Sequence, residues 1–594
     1  MNSSEILLDT LSQLGASTVF FVSGGNAMYL NDALQRSSLK SVAVHHEQAA
    51  AMAAESFGRV SESFGVCMTT NGPAVSNLLT GLAGAFLDSV PLIAIVGQSK
   101  EQLPLEDRTQ FLRQSGLFEL DTEGLVSSVS KAFIRVSREV SAREAARKAV
   151  HIATSGRPGP VVIEVPMDMQ SKTEDVPAGD PETPITHLEI TDVVKWADVE
   201  FAFKESKKIL LLAGNGVLAS RSNHSFRAFV EEFKIPFVTT QLAKGVAEFT
   251  HPQFVGHVGP RGDRAGNSAI QSADMLITIG ASLGNQTTGY ELSLFGPKCR
   301  KFIQDKAGGV SGKKLALSHV TYIDESAPLF LENLRSCIAK VGVPELEQDW
   351  LLKLARLKEH ASVHSEPHLR DGSGHNLYDF AHELSEAISK LNLPSRVVTD
   401  AGLSFYVMGQ AFRLAAKQTY TVSGGLGSMG YALPAVVGQS CVDDESLVIG
   451  VSGDGSTQMN VQELATLSAL KGNVVFFLIN NQGYASIRNT QDSFFGRRIG
   501  SSSDTGVEMP NWELVAEAYH LNYRRIDASE SLREGLESVL AGSKPLFVEV
   551  MCQPSQGLMP YVPNYIDEAG ALRSRALDRM EPSGHSSFSD LEVN

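Results

Sequence analysis

The chain has 594 residues, 43% hydrophobic and 20% charged. These are ordinary values for a folded globular protein, so global disorder is excluded. Against 51 Lys and Arg stand 67 Asp and Glu, a net charge of −16, which argues against nucleic-acid binding or a polybasic membrane surface. At about 150 residues per domain the length implies three or four domains. Five scattered cysteines with no CxxC pair indicate neither a disulfide framework nor a zinc site. The start MNSSEILLDTLSQLG lacks the pattern of a secretory signal, and apolar runs such as VVFFLI fall short of a membrane span. The expectation is a soluble, cytoplasmic protein.

Short β-rich runs alternate with amphipathic helical stretches. In chain order the predicted strands are 18–24, 39–46, 64–70, 91–97, 160–166, 208–214, 274–280, 396–402, 447–455, 473–480 and 545–551. Most are apolar on both faces, as strands of a covered parallel sheet are. Several end in glycine before a helical pattern, which places ligand loops at the C-terminal ends of the strands. The acidic, proline-bearing stretch 170–185 reads as a linker, and 340–375 as a charged helix followed by a loop. The fold class is therefore α/β, with three consecutive mainly parallel-sheet units over 1–172, 188–342 and 374–555. A polar tail follows over 556–594, its last twelve residues without hydrophobic periodicity and expected to be disordered or partner-bound. Units one and three are candidates for a shared fold.

The most specific stretch is SGDGSTQMNVQELATLSALKGNVVFFLINNQGYASIR, 452–488. A strand ends at Gly453-Asp454-Gly455, a helix opens near Thr457, and the next strand ends at Asn480-Asn481. Alone, GDG is a turn and NN a cap. About 27 residues apart, across a strand–helix–strand, they bring Asp454 and Asn481 to neighbouring strand ends. Glycines let backbone approach an anion, and helix N-termini offer N–H groups to it. Asp454 and the Asn481 amide supply hard oxygens for Mg²⁺, whose octahedron phosphate, water and a backbone carbonyl complete.

GDG followed by NN at this spacing resembles the signature of thiamin diphosphate enzymes. The resemblance covers nearly the whole chain. HHEQAAAMAAESFGR (45–59), GRPGPVVIEVPMDMQ (156–170), DAGLS (400–404) and SGGLGSMGYALPAVVG (423–438) are similar to the acetolactate synthase-type branch. It implies a pyrimidine-binding, a central and a diphosphate-binding domain, with the cofactor between subunits of a homodimer or homotetramer. By that match Asp454, Asn481 and the Gly483 carbonyl hold the metal. Gly24, Gly25, Gly402, Leu403, Gly427, Gly455, Ser456, Gly483, Tyr484 and Ala485 bind the cofactor, and Met429 is the wedge beneath its two rings. Glu47 matches the acid that shares a proton with the pyrimidine; an apolar setting would raise its pKa toward neutrality. His45 and His46, adjacent on a predicted strand, face opposite ways and are left structural.

Departures from related enzymes bear on the reaction. Decarboxylases that release an aldehyde carry an Asp in the first βα turn and a His-His pair after the strand 91–97, or a His where Thr70 falls. Here these positions read Ser23-Gly24-Gly25-Asn26, Gln98-Ser99-Lys100 and Thr70. Without those donors, acyl transfer to a carbonyl is favoured over aldehyde release. Gln98 is expected either to contact substrate or to cap a helix. Phe118 stands where acetolactate synthases proper usually carry Gln, and Gly72-Pro73-Ala74 replaces their GPG, so the acceptor pocket is expected to differ.

Flavin-containing members carry arginines where Ser282 and Gln286 lie, while Arg261 and Arg264 could still bind a diphosphate, so FAD stays open. Lys244 reads as a residue near the substrate channel or as a solvated lysine. The expected activity is thiamin diphosphate- and Mg²⁺-dependent decarboxylation of a 2-oxo acid, pyruvate first, with acyl transfer to a carbonyl acceptor. The segments 480–496 and 570–582 resemble members linked to nucleotide-sugar and branched-sugar pathways, making a ketosugar one candidate acceptor. Acetolactate synthesis, simple decarboxylation or oxidation, and a non-catalytic regulatory role are the alternatives.

Overall fold

The computed structural model describes residues 1–100, 114, 116–174, 193–306 and 317–583. Unit one is built on β1 (Thr18–Phe21), β2 (Lys40–Ala43), β3 (Gly65–Thr69), β4 (Leu92–Gln98), β5 (Ala132–Arg135) and β6 (Pro160–Pro166). They pair in parallel, in the order β2-β1-β3-β4-β6-β5. The central strands β3, β4 and β6 are buried along their whole length, which is why their sequences are continuously apolar. The predicted strand 39–46 is shorter than expected, ending at Ala43.

The central unit contains β7 (Ile209–Ala213), β8 (Phe237–Thr239), β9 (Phe254–His257), β10 (Met275–Ile279), β11 (Arg300–Gln304) and β12 (Val320–Ile323). Their parallel order is β12-β11-β10-β7-β8-β9, the doubly wound dinucleotide-fold order, with its switch point between β7 and β10. Unit three contains β13 (Ser395–Thr399), β14 (Gln418–Val422), β15 (Leu447–Gly453), β16 (Val474–Asn480), β17 (Asn522–Ile526) and β18 (Leu546–Met551). Its order, β14-β13-β15-β16-β18-β17, repeats unit one strand for strand, so the two units share a fold.

Units one and three are docked through the alanine-rich helix Glu47–Val60, whose core is continuous with that of the helix Ala432–Gln439. The backbones nearly touch: a Cβ on Gly438 would lie 2.1 Å from the Ala53 carbonyl oxygen. An ionic cluster seals the contact. Arg59 bonds Glu55 and Asp88, Tyr431 donates to Glu55, and Asp88 accepts from the backbone of Gly424 and Gly425.

The charged helix expected within 340–375 is Gln348–His360, and it packs Trp350, Leu354 and Leu357 into the core of the central unit. In the tail, Val562, Leu577 and Met580 enter that same core, and β19 (Asn564–Ile566) pairs antiparallel with β20 (Leu572–Ser574). Residues 584–594 and 175–192, which include most of the expected linker 170–185, lie outside the described residues.

Candidate active site

In unit three, β13, β15 and β16 are neighbours, and each runs at its C-terminal end into a turn and a helix. These helices are Leu403–Ala411, Asp454–Thr457 and Ala485–Phe494. Gly402 (φ 77°) and Gly427 (φ 69°) adopt the left-handed backbone that glycine tolerates. A Cβ built on Gly402, Gly427 or Gly453 would meet no atom within 4 Å. The three glycines thus border an open cradle at helix N-termini, a setting suited to an anion. Leu403 and Ser456 are buried at its base, and the Tyr484 ring closes over Gly455, where a Cβ would come within 2.2 Å of it.

Beside the cradle, Asp454 is fully buried. One carboxylate oxygen accepts from the Gly455 N–H at 2.7 Å and the other from the Gly483 N–H at 2.9 Å. Burial pushes its pKa up to about 6, so it is a carboxylate short of positive charge. Asn481 is buried and its Oδ1 has no hydrogen-bond partner. Gly483 (φ 115°) lies buried on the same loop, its carbonyl accepting a 3.1 Å bond from Ala485 N–H. An orphaned amide oxygen, an under-compensated carboxylate and a backbone carbonyl form an oxygen donor set that suits Mg²⁺ and a phosphate. Among the described residues no cluster of three His, Cys, Asp or Glu offers a competing metal cage.

Sequence reasoning missed two supports of this site. Arg488, buried, donates to the carbonyls of Asn481, Gln482, Ser501 and Pro554 and so fixes the loop that carries Asn481 and Gly483. Asp400, buried and pushed upward by desolvation, accepts from the N–H groups of Gly430 and Ala432 and from the Ser452 hydroxyl. It ties the turn bearing half-buried Met429 to the end of β15. A buried acid beside glycine in DAGLS was the available signal.

In unit one, Glu47 is the first residue of its helix, capped by His46, whose ring accepts from the Gln48 N–H. In the single chain the Glu47 carboxylate is half-buried and accepts from Asn77 Nδ2 at 2.9 Å, so the apolar enclosure expected for it is not supplied by its own chain. Gly24 packs tightly on Thr70, where a Cβ would lie 2.5 Å from the side chain, whereas Gly25 faces open space. Gln98 sits in a network of side chains. It is buried at the end of β4, its Oε1 accepting from Asn71 and the Ser99 N–H and its Nε2 donating to Glu164. Both ends of its amide are thus engaged within the chain, and the segment whose helix start it was expected to cap, from residue 101 on, lies outside the described residues.

In the central unit a crevice of about 570 Å³ opens at the switch point, lined by Gly216, Gly280, Ser282, Gln286 and Arg157. The expected diphosphate role of Arg264 is overturned: it is buried, ion-paired with Glu366 and donating to the Pro582 carbonyl. Arg261 lies between the rings of Tyr406 and Tyr561. Lys244 is not solvated. It is 4% exposed, its Nζ donates to the Gly409 carbonyl at 2.9 Å, and burial lowers its pKa to about 7.

Comparison with known proteins matches each unit in turn. Residues 1–117, 198–311 and 400–550 match the N-terminal TPP binding, central and C-terminal TPP binding domains of thiamine pyrophosphate enzymes. A probable acetolactate synthase large subunit from Methanocaldococcus jannaschii is 30% identical over 95% of this chain and 94% of its own. The acetolactate synthase isozyme 2 large subunit of Escherichia coli is 30% identical over 98% of this chain and 100% of its own. The acetolactate synthase large subunit of Lactococcus lactis is 28% identical over 95% and 94%. With all three domains matched in order and relatives aligned end to end, the chain belongs to the thiamine pyrophosphate enzyme family, in its acetolactate synthase-like branch.

Proposed function

We propose that this enzyme uses thiamin diphosphate and Mg²⁺ to decarboxylate a 2-oxo acid, pyruvate first, and transfers the acyl unit to a carbonyl acceptor. The observation that carries the reading is the pairing of the partnerless Asn481 Oδ1 with buried Asp454 beside a glycine cradle. Bound there, thiamin diphosphate supplies the nucleophilic carbon and the electron sink that decarboxylation needs. The protein's share is positional. The N–H groups around Gly402, Gly455 and Ser456 receive the diphosphate, Asp454, Asn481 and the Gly483 carbonyl hold the Mg²⁺, and Met429 supports the cofactor's bend. Glu47 holds and returns one proton at the pyrimidine N1′. Where aldehyde-releasing relatives carry acids, this chain has Asn26, Thr70 and Gln98, and the amides of Asn26 and Gln98 are held in bonds within the chain; the lack of a proton donor there favours carbon–carbon bond formation.

The reading requires at least two chains, as homodimer or homotetramer. Leu426, Met459 and Ile487 are exposed near the cradle on a single chain, apolar surface that a second copy would bury. The switch-point crevice is offered to FAD. No helix among the described residues is long and apolar enough to cross a membrane. All five cysteines are free and buried, which supports a reducing, cytoplasmic setting.

The test incubates purified protein with thiamin diphosphate, Mg²⁺ and pyruvate, with and without a panel of acceptors that includes 4-ketosugar nucleotides. CO₂ and products are followed by mass spectrometry, and a visible absorption scan reports flavin. Acetolactate from pyruvate alone identifies an ordinary synthase, CO₂ release that depends on an added ketone identifies the acceptor class, and acetaldehyde as sole product overturns the carboligase reading.

A further inference from the structure

A separate cavity of about 590 Å³ lies where the central unit, the helix Gln348–His360 and unit three meet. One wall is apolar, with Phe249, Leu351 and Leu354, and the other is cationic, with Lys234, Lys358 and Arg413. Lys358 and Arg413 come from different elements yet share one ring. The Lys358 Nζ lies 5.1 Å and the Arg413 guanidinium 4.7 Å from the centroid of Phe249.

Neither cation has an ion-pair partner among the described residues. Lys358 donates to the Phe254 carbonyl at 2.8 Å and Arg413 to the Ser362 hydroxyl at 2.9 Å, which leaves most of the guanidinium donors unused. The buried carboxylate whose charge reaches Lys358 is Asp263, and both its oxygens already accept backbone N–H groups, from His257 and Gly266. Glu359 is the one acid in the cavity wall, and it is exposed. Burial and the neighbouring Arg413 lower the Lys358 pKa to about 8, the mark of a desolvated cation without a counterion. Half-buried cations over an aromatic ring, reached by the charges of Asp263 and Glu386 but ion-paired with neither, are costly to hold unless an anion completes them.

We propose that this cavity binds a small molecule with an anionic head, carboxylate or phosphate, held between Lys358 and Arg413, and an aliphatic body laid along Phe249, Leu351 and Leu354. The site is distinct from the cofactor cradle, since Arg413 lies two residues beyond the far end of the helix that opens at Gly402.

The test titrates the full-length holoenzyme with hexanoate, hexyl phosphate, inorganic phosphate and, as neutral control, hexanol, by calorimetry. Saturable binding of one or both amphiphiles is expected, with inorganic phosphate weaker for want of apolar contact; the tighter of the two identifies the head group. In Arg413→Gln and Lys358→Gln the affinity should fall about tenfold or more. Should those variants fail to fold, Glu359→Gln on the exposed rim should tighten binding severalfold by removing the opposing charge. Hexanol binding as tightly as both anions, no binding of either amphiphile, wild-type affinity in folded Arg413 and Lys358 variants, or no tightening in Glu359→Gln overturns the proposal.

Discussion

Units one and three are the same six-stranded sheet used twice, β2-β1-β3-β4-β6-β5 against β14-β13-β15-β16-β18-β17, and they differ at one end. In unit three the C-terminal strand ends are open. Gly402, Gly427 and Gly453 face empty space and Asn481 Oδ1 has no partner. In unit one the equivalent ends are closed by side chains. Asn26 donates to Asn71 at 2.8 Å, Asn71 to Gln98, Gln98 to Glu164, and Arg135 to Glu164. The frame decides where the loops gather; the loop residues decide whether that place is left open for a ligand or filled by the chain itself.

The largest break in that comparison is Asp454→Ala, which converts the open end into one without its buried carboxylate. Turnover with saturating cofactor should fall about 10³-fold or more, and cofactor binding followed by tryptophan fluorescence should weaken with it. In unit one the residue to change is Glu47: Glu47→Gln should bind cofactor normally yet lose about 10²- to 10⁴-fold in turnover, and unchanged turnover would remove Glu47 from the proton-transfer role. The docking of the two copies is tested by Arg59→Met. It leaves Glu55 and Asp88 buried without their cation and should cost about 3–5 kcal/mol in denaturant unfolding.

Within unit three, Arg488→Met unpins the loop of Asn481 and Gly483. A loss of about 2 kcal/mol is expected, with Mg²⁺ affinity reduced about tenfold or more. Calorimetry with Mg²⁺ separates the two effects. The smallest effect per pH unit belongs to the central unit, outside the repeated pair. The folded pKa of Lys244, about 7, lies below its ordinary 10.5, so between those values the unfolded chain binds the extra proton and stability rises with pH. The slope reaches at most about 1.4 kcal/mol per pH unit. In Lys244→Met the rise should disappear, as read from urea midpoints across that window; an unchanged slope would assign it to other groups.

The residues explain which elements were legible. The buried middle strands, such as β4, β6, β15 and β16, announce themselves by unbroken apolar runs. Those that went unread are mostly edge or near-edge strands of mixed polarity: AFIR in β5, RKFIQ in β11, QTYTV in β14 and NYRRI in β17. Their polar residues interrupt the apolar run even where the strand is largely buried, as in β11 and β14. The meeting of Asp454 with the loop of Asn481 and Gly483 was legible through spacing. Asp400 and Arg488 were not, since their roles lie in bonds to backbone groups that only folding brings near.

The sequence by itself determined the three α/β units, the glycine turns at their strand ends and the identity of the residues gathered there, because strand burial and turn conformation are local demands on residue type. Only the tertiary structure decided that units one and three are one fold repeated, that Gln98 belongs to a closed amide network, that Arg264 is bound to Glu366 and the C-terminal segment, and that 556–583 packs into the central core. Those outcomes depend on partners from 27 to 318 residues apart, and a side chain's hydrogen bonds are settled by whichever groups the packed chain places beside it.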